Sequence, residues 1–484
     1  MTLFIEGHAF GYELSRVAQM FFPGEKVVFQ EGAPCGAPAL GARLCGGVLT
    51  VSYREASGRL HSAPEETAAP GYTPGEMEHM FGVMLYRLLS RATGVCPPWG
   101  VLTGVRPVRL FMTELMRGAD DGALRRRFMD GSLVSGEKFD LALQTARIEQ
   151  PLLSRSTPDS FSLYVSVPFC PTRCAYCSFV SQSVERDAAL IPAYVDRLCE
   201  ELEYTGCLAK ELGLRLRTVY FGGGTPTTLS AEDLTRVMGT VADRFDLSGL
   251  WEYTVEAGRP DTVTPQKLRA IYAGGARRVS INPQTLSDTV LCAIGRRHTS
   301  AQFFEAFAMA RAAGFDCINT DLIAGLPADT PEGFAASVDG VLALHPENVT
   351  VHTLTVKRAS RLTFDEARSE LELVGGMVGY ARNACVAAGL HPYYLYRQTG
   401  TLASLENVGY AAVGTEGLYN TYIMDETHTI LAVGAGASTK LRHPKTGRIE
   451  RVYNYKHPTE YIGRFDEALR RKQRVRLFYQ DSGL

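Results

Sequence analysis

Cys170, Cys174 and Cys177 lie within eight residues of one another in Tyr164-Val-Ser-Val-Pro-Phe-Cys-Pro-Thr-Arg-Cys-Ala-Tyr-Cys-Ser178. The C-x-x-x-C-x-x-C run comes directly after a β-like segment. Three thiols this close suggest a metal rather than disulfides. A closed structural zinc site takes four ligands, and no fourth Cys or His lies nearby. A [4Fe–4S] cube held by three cysteines instead leaves one iron open to a substrate or cofactor.

The elements that must position this loop are legible as an alternation. Strand-like segments recur at Phe161–Val167, Thr218–Phe221, Tyr253–Glu256, Val279–Ile281, Cys317–Leu322 and Val349–Leu354. Helical patterns separate them, with Ile191, Val195, Leu198 and Leu202 on one face and Phe304, Phe307 and Ala308 on another. Strands alternating with helices predict an α/β fold with a parallel sheet. Six units are too few for an eightfold barrel, so the expectation is a partial (β/α)6 barrel open on one side.

In parallel βα architectures the ligand site collects at the carboxyl ends of the strands. The cysteine loop comes after the first segment and Gly222-Gly-Gly-Thr-Pro226 after the second. Glu256 ends the third, Asn282-Pro-Gln284 comes after the fourth, and Asp321 lies near the end of the fifth. His352, Thr353 and Thr355 belong to the sixth. Six segments distant in sequence are thus expected at one mouth. The glycines would let a charged ligand approach the backbone. Glu256 and Asp321 could accept hydrogen bonds from hydroxyl or amino groups, or cap helices. Gln284 offers a donor and an acceptor. Arg296 could fork a carboxylate, or be a solvated surface arginine.

Composition bounds the setting. At 484 residues the chain exceeds one ordinary core, so two or three domains are expected. A net charge of -2 argues against a general nucleic-acid binder. The start, Met1-Thr-Leu-Phe-Ile-Glu-Gly-His8, has no basic segment leading into a long apolar run, and no stretch reaches membrane-spanning length. The other eight cysteines are scattered without a disulfide framework. A cytoplasmic location is the expectation.

The cysteine spacing resembles the radical S-adenosylmethionine (SAM) superfamily. Further stretches are similar to the oxygen-independent coproporphyrinogen III oxidase family, in its coproporphyrinogen dehydrogenase-like branch with an added N-terminal region. They are Val167-Pro-Phe-Cys-Pro-Thr-Arg-Cys-Ala-Tyr-Cys-Ser-Phe179, Phe221-Gly-Gly-Gly-Thr-Pro-Thr227, Ser280-Ile-Asn-Pro-Gln-Thr285 and Asp321-Leu-Ile-Ala-Gly-Leu-Pro327. Downstream come Ala432-Val-Gly-Ala-Gly-Ala-Ser438 and Asn454-Tyr-Lys-His-Pro-Thr-Glu-Tyr461. The resemblance implies a [4Fe–4S] cluster on Cys170, Cys174 and Cys177. It implies one or two SAM molecules contacted by Tyr164, Tyr176, Gly223, Gly224, Thr225, Glu256, Gln284, Arg296, Asp321 and Thr355. One electron from the cluster would cleave SAM to methionine and a 5′-deoxyadenosyl radical. That radical would take a hydrogen from a propionate of coproporphyrinogen III, and loss of carbon dioxide and one electron would leave a vinyl group. Two such events give protoporphyrinogen IX. A low-potential electron donor is implied and not identified.

The departures point to rivals. Phe179 stands where the well-studied oxidases have a further cysteine, and Ser166 where the strand motif usually has a histidine. Both leave room for the related heme chaperones, and a radical SAM methyltransferase acting on heme is a further alternative. The chaperones carry a His-Asn-x-x-Tyr-Trp motif, and the matching segment here is Glu406-Asn-Val-Gly-Tyr-Ala411, with glutamate in place of the histidine.

Three consecutive regions are expected: an N-terminal α+β region 1–155, the partial barrel 156–388 and a C-terminal closing region 389–484. Met80–Arg91 reads as a helix, and Val101-Leu-Thr-Gly-Val-Arg-Pro107 as a loop entering one. Arg125-Arg-Arg127 and Arg470-Arg-Lys-Gln-Arg474 read as solvated helix faces or anion sites. Lys357, Arg358 and Arg397 are candidates to meet substrate propionates.

Overall fold

A computed structural model describes residues 1–22, 25–177, 181–354, 364–398 and 405–482, without the side chains of 364–370 and 482. Phe179, Thr355, Lys357 and Arg358 lie outside the described residues.

The six strand-like segments form strands at Ser160–Val167, Arg215–Gly223, Glu252–Glu256, Arg278–Ser280, Cys317–Ala324 and Asn348–Thr353, adjacent in that order. The first five run parallel to their neighbours. Buried on nearly every residue, they read as apolar runs, as strands covered on both faces do. The helix Ile191–Glu211 presses Tyr194, Val195, Leu198 and Leu202 inward. The helix Ser300–Ala312 differs from expectation by one position: Phe303, Ala306, Phe307 and Ala310 are buried, while Phe304 and Ala308 are exposed. A capping box between Thr299 and Gln302 fixes where this helix starts.

The C-terminal portion adds strands at both edges of this sheet. Thr429–Val433 runs parallel beside the first strand, with Ser438–Arg442 and then Ile449–Tyr453 further out. At the other edge Glu406–Ala411 pairs antiparallel with Asn348–Thr353, and His391–Arg397 lies outside it.

The chain divides into two compact units. One is Ile148–His352 with Gly379–Tyr394 and Val408–Leu484; the other is Met1–Arg147 with Thr353–Val378 and Leu395–Asn407. The consecutive regions 1–155, 156–388 and 389–484 do not coincide with these units, because two later segments pack with the N-terminal one. In that N-terminal unit Thr2–Glu6 pairs in parallel with Val28–Glu31 and Ala39–Cys45, and Val48–Arg54 runs antiparallel to the latter. Helices Gly11–Gln19 and Pro74–Thr93 share its core with Leu3, Leu40, Val51, Phe81 and Leu85. The expected helix at Met80–Arg91 lies within Pro74–Thr93, and the loop at Val101–Pro107 enters the helix Pro107–Met116. Arg125 and Arg127 are exposed and pair with Asp140 and Glu114, as on a solvated helix face.

Candidate functional site

The cysteine loop is held by two neighbouring strand ends. The second strand runs beside the first in the register Gly222↔Ser166 and Gly223↔Val167, and Gly224 N–H donates to Val167 O at 2.9 Å. Gly223 has φ +108°, and a Cβ on it would stand 2.9 Å from Ser166 Oγ. A Cβ on Gly224 would stand 2.6 Å from Phe169 O and 3.0 Å from Cys170 Sγ. Only glycine lets the backbone pass this close to the thiol. Thr225 Oγ1 then donates to Cys170 Sγ at 3.5 Å.

Ser166 is part of the support. Its Oγ donates to Ala435 O at 2.8 Å, and Tyr194 Oη donates to its carbonyl at 2.8 Å. The Gly434–Ala435 turn is itself fixed by Glu201, which is fully buried. Glu201 accepts from Gly434 N–H at 2.7 Å, Asn454 Nδ2 at 2.8 Å and Tyr461 Oη at 2.6 Å. Its charge is met by Lys472 at 3.1 Å. Lys472 belongs to the run 470–474 and is 2% exposed, which corrects the reading of that run as a solvated face throughout. The stretches around Ala432–Ser438 and Asn454–Tyr461 thus brace the strand that leads into the cysteines.

Glu256 and Asp321 end the third strand and lie within the fifth. Tyr220 Oη donates to Glu256 Oε1 at 2.5 Å. Asp321 accepts from Asn282 Nδ2 and Asn319 Nδ2, both at 2.8 Å, with His352 Nε2 at 3.8 Å. The two carboxyls titrate apart. Burial, then the charge of Asp321, pushes Glu256 up to about 7, against the pull of Tyr220 and His352. For Asp321 burial also pushes upward, but His352, Asn319 and Thr350 outweigh it and hold the carboxyl below its ordinary range. Such splitting is a mark of functional sites. It has a cost for Glu256. A carboxyl whose folded value is raised is neutral with respect to stability below about 4.5, then destabilises increasingly up to about pH 7. Glu256→Gln is therefore expected to raise the melting temperature at pH 8, with the gain shrinking towards pH 4.5; a gain that does not depend on pH would contradict the raised carboxyl.

Gln284 sits at φ +69°, a left-handed conformation unusual for a side-chain-bearing residue. Its N–H donates to Asp321 O at 2.9 Å, and its carbonyl accepts from Ile323 N–H at 3.0 Å. The fourth strand end is thereby stitched to the fifth, bringing Gln284 and Asp321 together. Arg296 is 8% exposed, so it is not a surface arginine. Its Nη1 donates to Asn282 O at 2.7 Å and Gly258 O at 3.3 Å. Tyr176 and Cys174 lie beside its guanidinium. Burial raises the Tyr176 hydroxyl above its ordinary value, with Arg296 pulling the other way. Tyr164 stacks on Tyr220 and Tyr419, with centroids 6.3 and 6.1 Å away.

Sequence reasoning passed over Tyr220, Arg259, Asn319 and Tyr419. Tyr220 and Asn319 are ordinary strand residues by pattern. Tyr419 comes from the helix Leu418–Asp425, whose first N–H groups are held by Glu252 at 2.6 and 3.3 Å. Arg259 had a signal: a cation three residues beyond the strand end that carries Glu256.

A sequence model described as the radical SAM superfamily matches residues 164–339. The chain is 37% identical over 398 residues to the oxygen-independent coproporphyrinogen-III oxidase-like protein HemZ of Bacillus subtilis, covering 81% of this chain and 79% of that protein. It is 30% identical to the heme chaperone HemW of Lactococcus lactis, covering 61% of this chain and 73% of that one. The oxygen-independent coproporphyrinogen III oxidase of Paracoccus denitrificans is 34% identical over 40% of this chain and 42% of its own.

The cofactors of the superfamily are a [4Fe–4S] cluster and SAM. The described residues fit them. The three loop thiols are partly exposed and not in disulfides. Asn282 Oδ1, on the amide that donates to Asp321, and Arg296 Nε, on the guanidinium beside Cys174, are buried without a hydrogen-bond partner. The chain belongs to the oxygen-independent coproporphyrinogen III oxidase family of radical SAM proteins.

Proposed function

We propose that this protein oxidatively decarboxylates two propionates of coproporphyrinogen III to vinyl groups, giving protoporphyrinogen IX. The observation that carries the reading is the gathering of the cysteine loop, Gly223–Thr225, Glu256, Gln284 and Asp321 at or near the carboxyl ends of five adjacent parallel strands, with Arg296 reaching Cys174 from beyond the helix Asp288–Ala293. When bound and reduced, the cluster and SAM supply a carbon radical able to abstract hydrogen. The chain does the rest. Cys170, Cys174 and Cys177 ligate the cluster, and Gly223 and Gly224 give backbone access beside it. Asp321, ionised at neutral pH, accepts from hydroxyl or amino groups of SAM, and Glu256 does so above about pH 7. Gln284 and the free Nε of Arg296 offer donors to its polar groups. Tyr164, Tyr220 and Tyr419 supply apolar stacked surface that excludes water.

Asp321→Ala and Glu256→Ala each remove a charge-assisted hydrogen bond worth about 1.5–3 kcal/mol. SAM affinity is expected to fall by about tenfold or more in at least one of them with iron content unchanged. Unchanged binding in both would make these carboxylates structural.

The names of the HemW relatives favour one second reading, a heme chaperone. The residue at the histidine position of that motif, Glu406, speaks against it here. Glu406 is fully buried and engaged by Lys138 Nζ at 2.6 Å and Trp99 Nε1 at 2.8 Å. Arg397, a candidate for a propionate, is 3% exposed against the Trp99 ring and donates to Leu102 O, so it supports neither reading as a surface cation. The experiment is to monitor 5′-deoxyadenosine under reducing anaerobic conditions. The oxidase reading expects release to accelerate when coproporphyrinogen III is added; release indifferent to it, together with stoichiometric heme binding, supports the chaperone.

A further inference from the structure

Arg259 lies just beyond the third strand and is 3% exposed. A buried guanidinium needs a partner for each of its five N–H groups, and here there are five acceptors. Nε and Nη2 fork Asp261, each at 3.1 Å. Nη2 also donates to Thr172 Oγ1 at 3.1 Å, and Nη1 donates to Thr172 O at 3.2 Å and to Cys174 Sγ at 3.8 Å. The cation therefore grips the cysteine loop by both backbone and side chain, between Cys170 and Cys177.

Its own base is fixed. Arg259 O accepts from Thr262 Oγ1 at 2.8 Å, Thr262 Oγ1 meets Thr227 Oγ1 at 2.6 Å, and Lys267 Nζ donates to the carbonyls of Thr227 and Thr262 at 2.5 and 3.2 Å. The loop is also tied to the fourth unit by two neutral bonds, Thr172 Oγ1 to Gly295 O at 3.0 Å and Ala175 N–H to Ile294 O at 3.0 Å. The thiols are also treated unequally. Cys170 receives a neutral hydroxyl from Thr225, whereas Cys174 receives a cation.

We infer that Arg259 is a positioning residue that holds the cysteine loop and, by donating to the Cys174 sulfur, raises the reduction potential of the cluster. The inference rests on the proposed ligation by Cys174. Hydrogen bonds and positive charge at a ligand sulfur favour the form carrying one more electron. Arg296 also lies beside Cys174, but it belongs to the proposed SAM contacts, whereas Arg259 is committed to the loop.

The test uses reconstituted full-length protein without SAM or substrate, poised with dithionite and mediator dyes and read by electron paramagnetic resonance. At the potential that half-reduces the wild-type cluster, R259Q is expected to show a reduced-to-oxidised ratio lower by about tenfold, the size of a charge-assisted hydrogen bond. R259K, which keeps the charge and loses the fork, recovers part of that shift. Amide exchange of residues 171–177 in the apoprotein quickens in both variants. If R259Q holds no cluster, R259K supplies the comparison, since it keeps the charge and loses the fork, and a smaller shift of the same sign is expected. Wild-type titration and wild-type exchange in R259Q, or in R259K where R259Q holds no cluster, overturn the inference. Failure of the ligation reading is separate: it shows as a C174A protein that still holds a full cluster.

Discussion

Replacing any one of Cys170, Cys174 and Cys177 with Ala is expected to reduce SAM cleavage to background and to lower the iron bound after anaerobic reconstitution. Each change removes one of three thiolates, and no other cysteine lies in the loop to take its place. The three are partly exposed, so their loss leaves no large cavity, and the melting temperature of the apoprotein is expected to change little. That separation makes the result diagnostic. The readouts are iron and sulfide content, 5′-deoxyadenosine formation and apoprotein melting. Normal SAM cleavage by the triple Ala variant would remove the radical SAM assignment of this site.

The second large effect lies in the N-terminal unit. Lys138→Met is expected to cost about 3–5 kcal/mol of unfolding free energy at pH 7, because it strands a fully buried Glu406 without its cation. Lys138→Met with Glu406→Leu is expected to recover only part of that loss, since it removes the stranded carboxylate but leaves Trp99 Nε1 without its acceptor and the buried Arg397 without that negative charge. The pair also sets a pH window. Burial pushes the Glu406 carboxyl upward, but Lys138 and Trp99 outweigh it and hold it below 4.5, so its stabilisation is present above that value and lost as pH falls through the folded value. Burial lowers the Lys138 amine, but Glu406 and Glu137 outweigh it and hold it above 10.5, so its share is present below that value and lost in stronger base. The cost of Lys138→Met should therefore be largest between these limits, as measured by denaturant unfolding across pH. The consequence reaches the sixth strand, where Thr353 Oγ1 donates to Glu406 O at 2.8 Å and Thr353 N–H to Asn407 Oδ1 at 3.0 Å. A single mutant that unfolds like wild type at pH 7 would contradict this account.

Most of the site was legible in the sequence because its parts lie at the ends of strands whose apolar runs are unmistakable. Cys170, Gly224, Glu256 and Gln284 each sit at or just past the carboxyl end of a buried strand, and Asp321 lies in the carboxyl half of the fifth, where a parallel sheet gathers its ligand contacts. In the helix Ser300–Ala312, Phe303, Phe304 and Phe307, with Ala306 and Ala308 beside them, admit two stripes, and packing rather than local pattern selects the one carrying Phe303, Ala306, Phe307 and Ala310. A basic run such as 470–474 looks solvated until a buried partner is known, and for Lys472 that partner, Glu201, lies far away in sequence. For Arg296 the sequence admits a carboxylate fork or a solvated surface position, and the fold excludes the second by burying it against two backbone carbonyls. The support of Ser166 by Gly434 and Ala435, and the stack of Tyr419 on Tyr220, depend on C-terminal segments joining the barrel sheet and its interior. No local pattern encodes such long-range pairings.

The most direct measurement is product analysis after anaerobic incubation with SAM, a low-potential reductant and coproporphyrinogen III. The account predicts conversion to protoporphyrinogen IX with two molecules of carbon dioxide released per tetrapyrrole, dependent on SAM and lost in the cysteine variants. Recovery of unchanged coproporphyrinogen III from protein with an intact cluster that cleaves SAM, alongside tight stoichiometric heme binding, would contradict it.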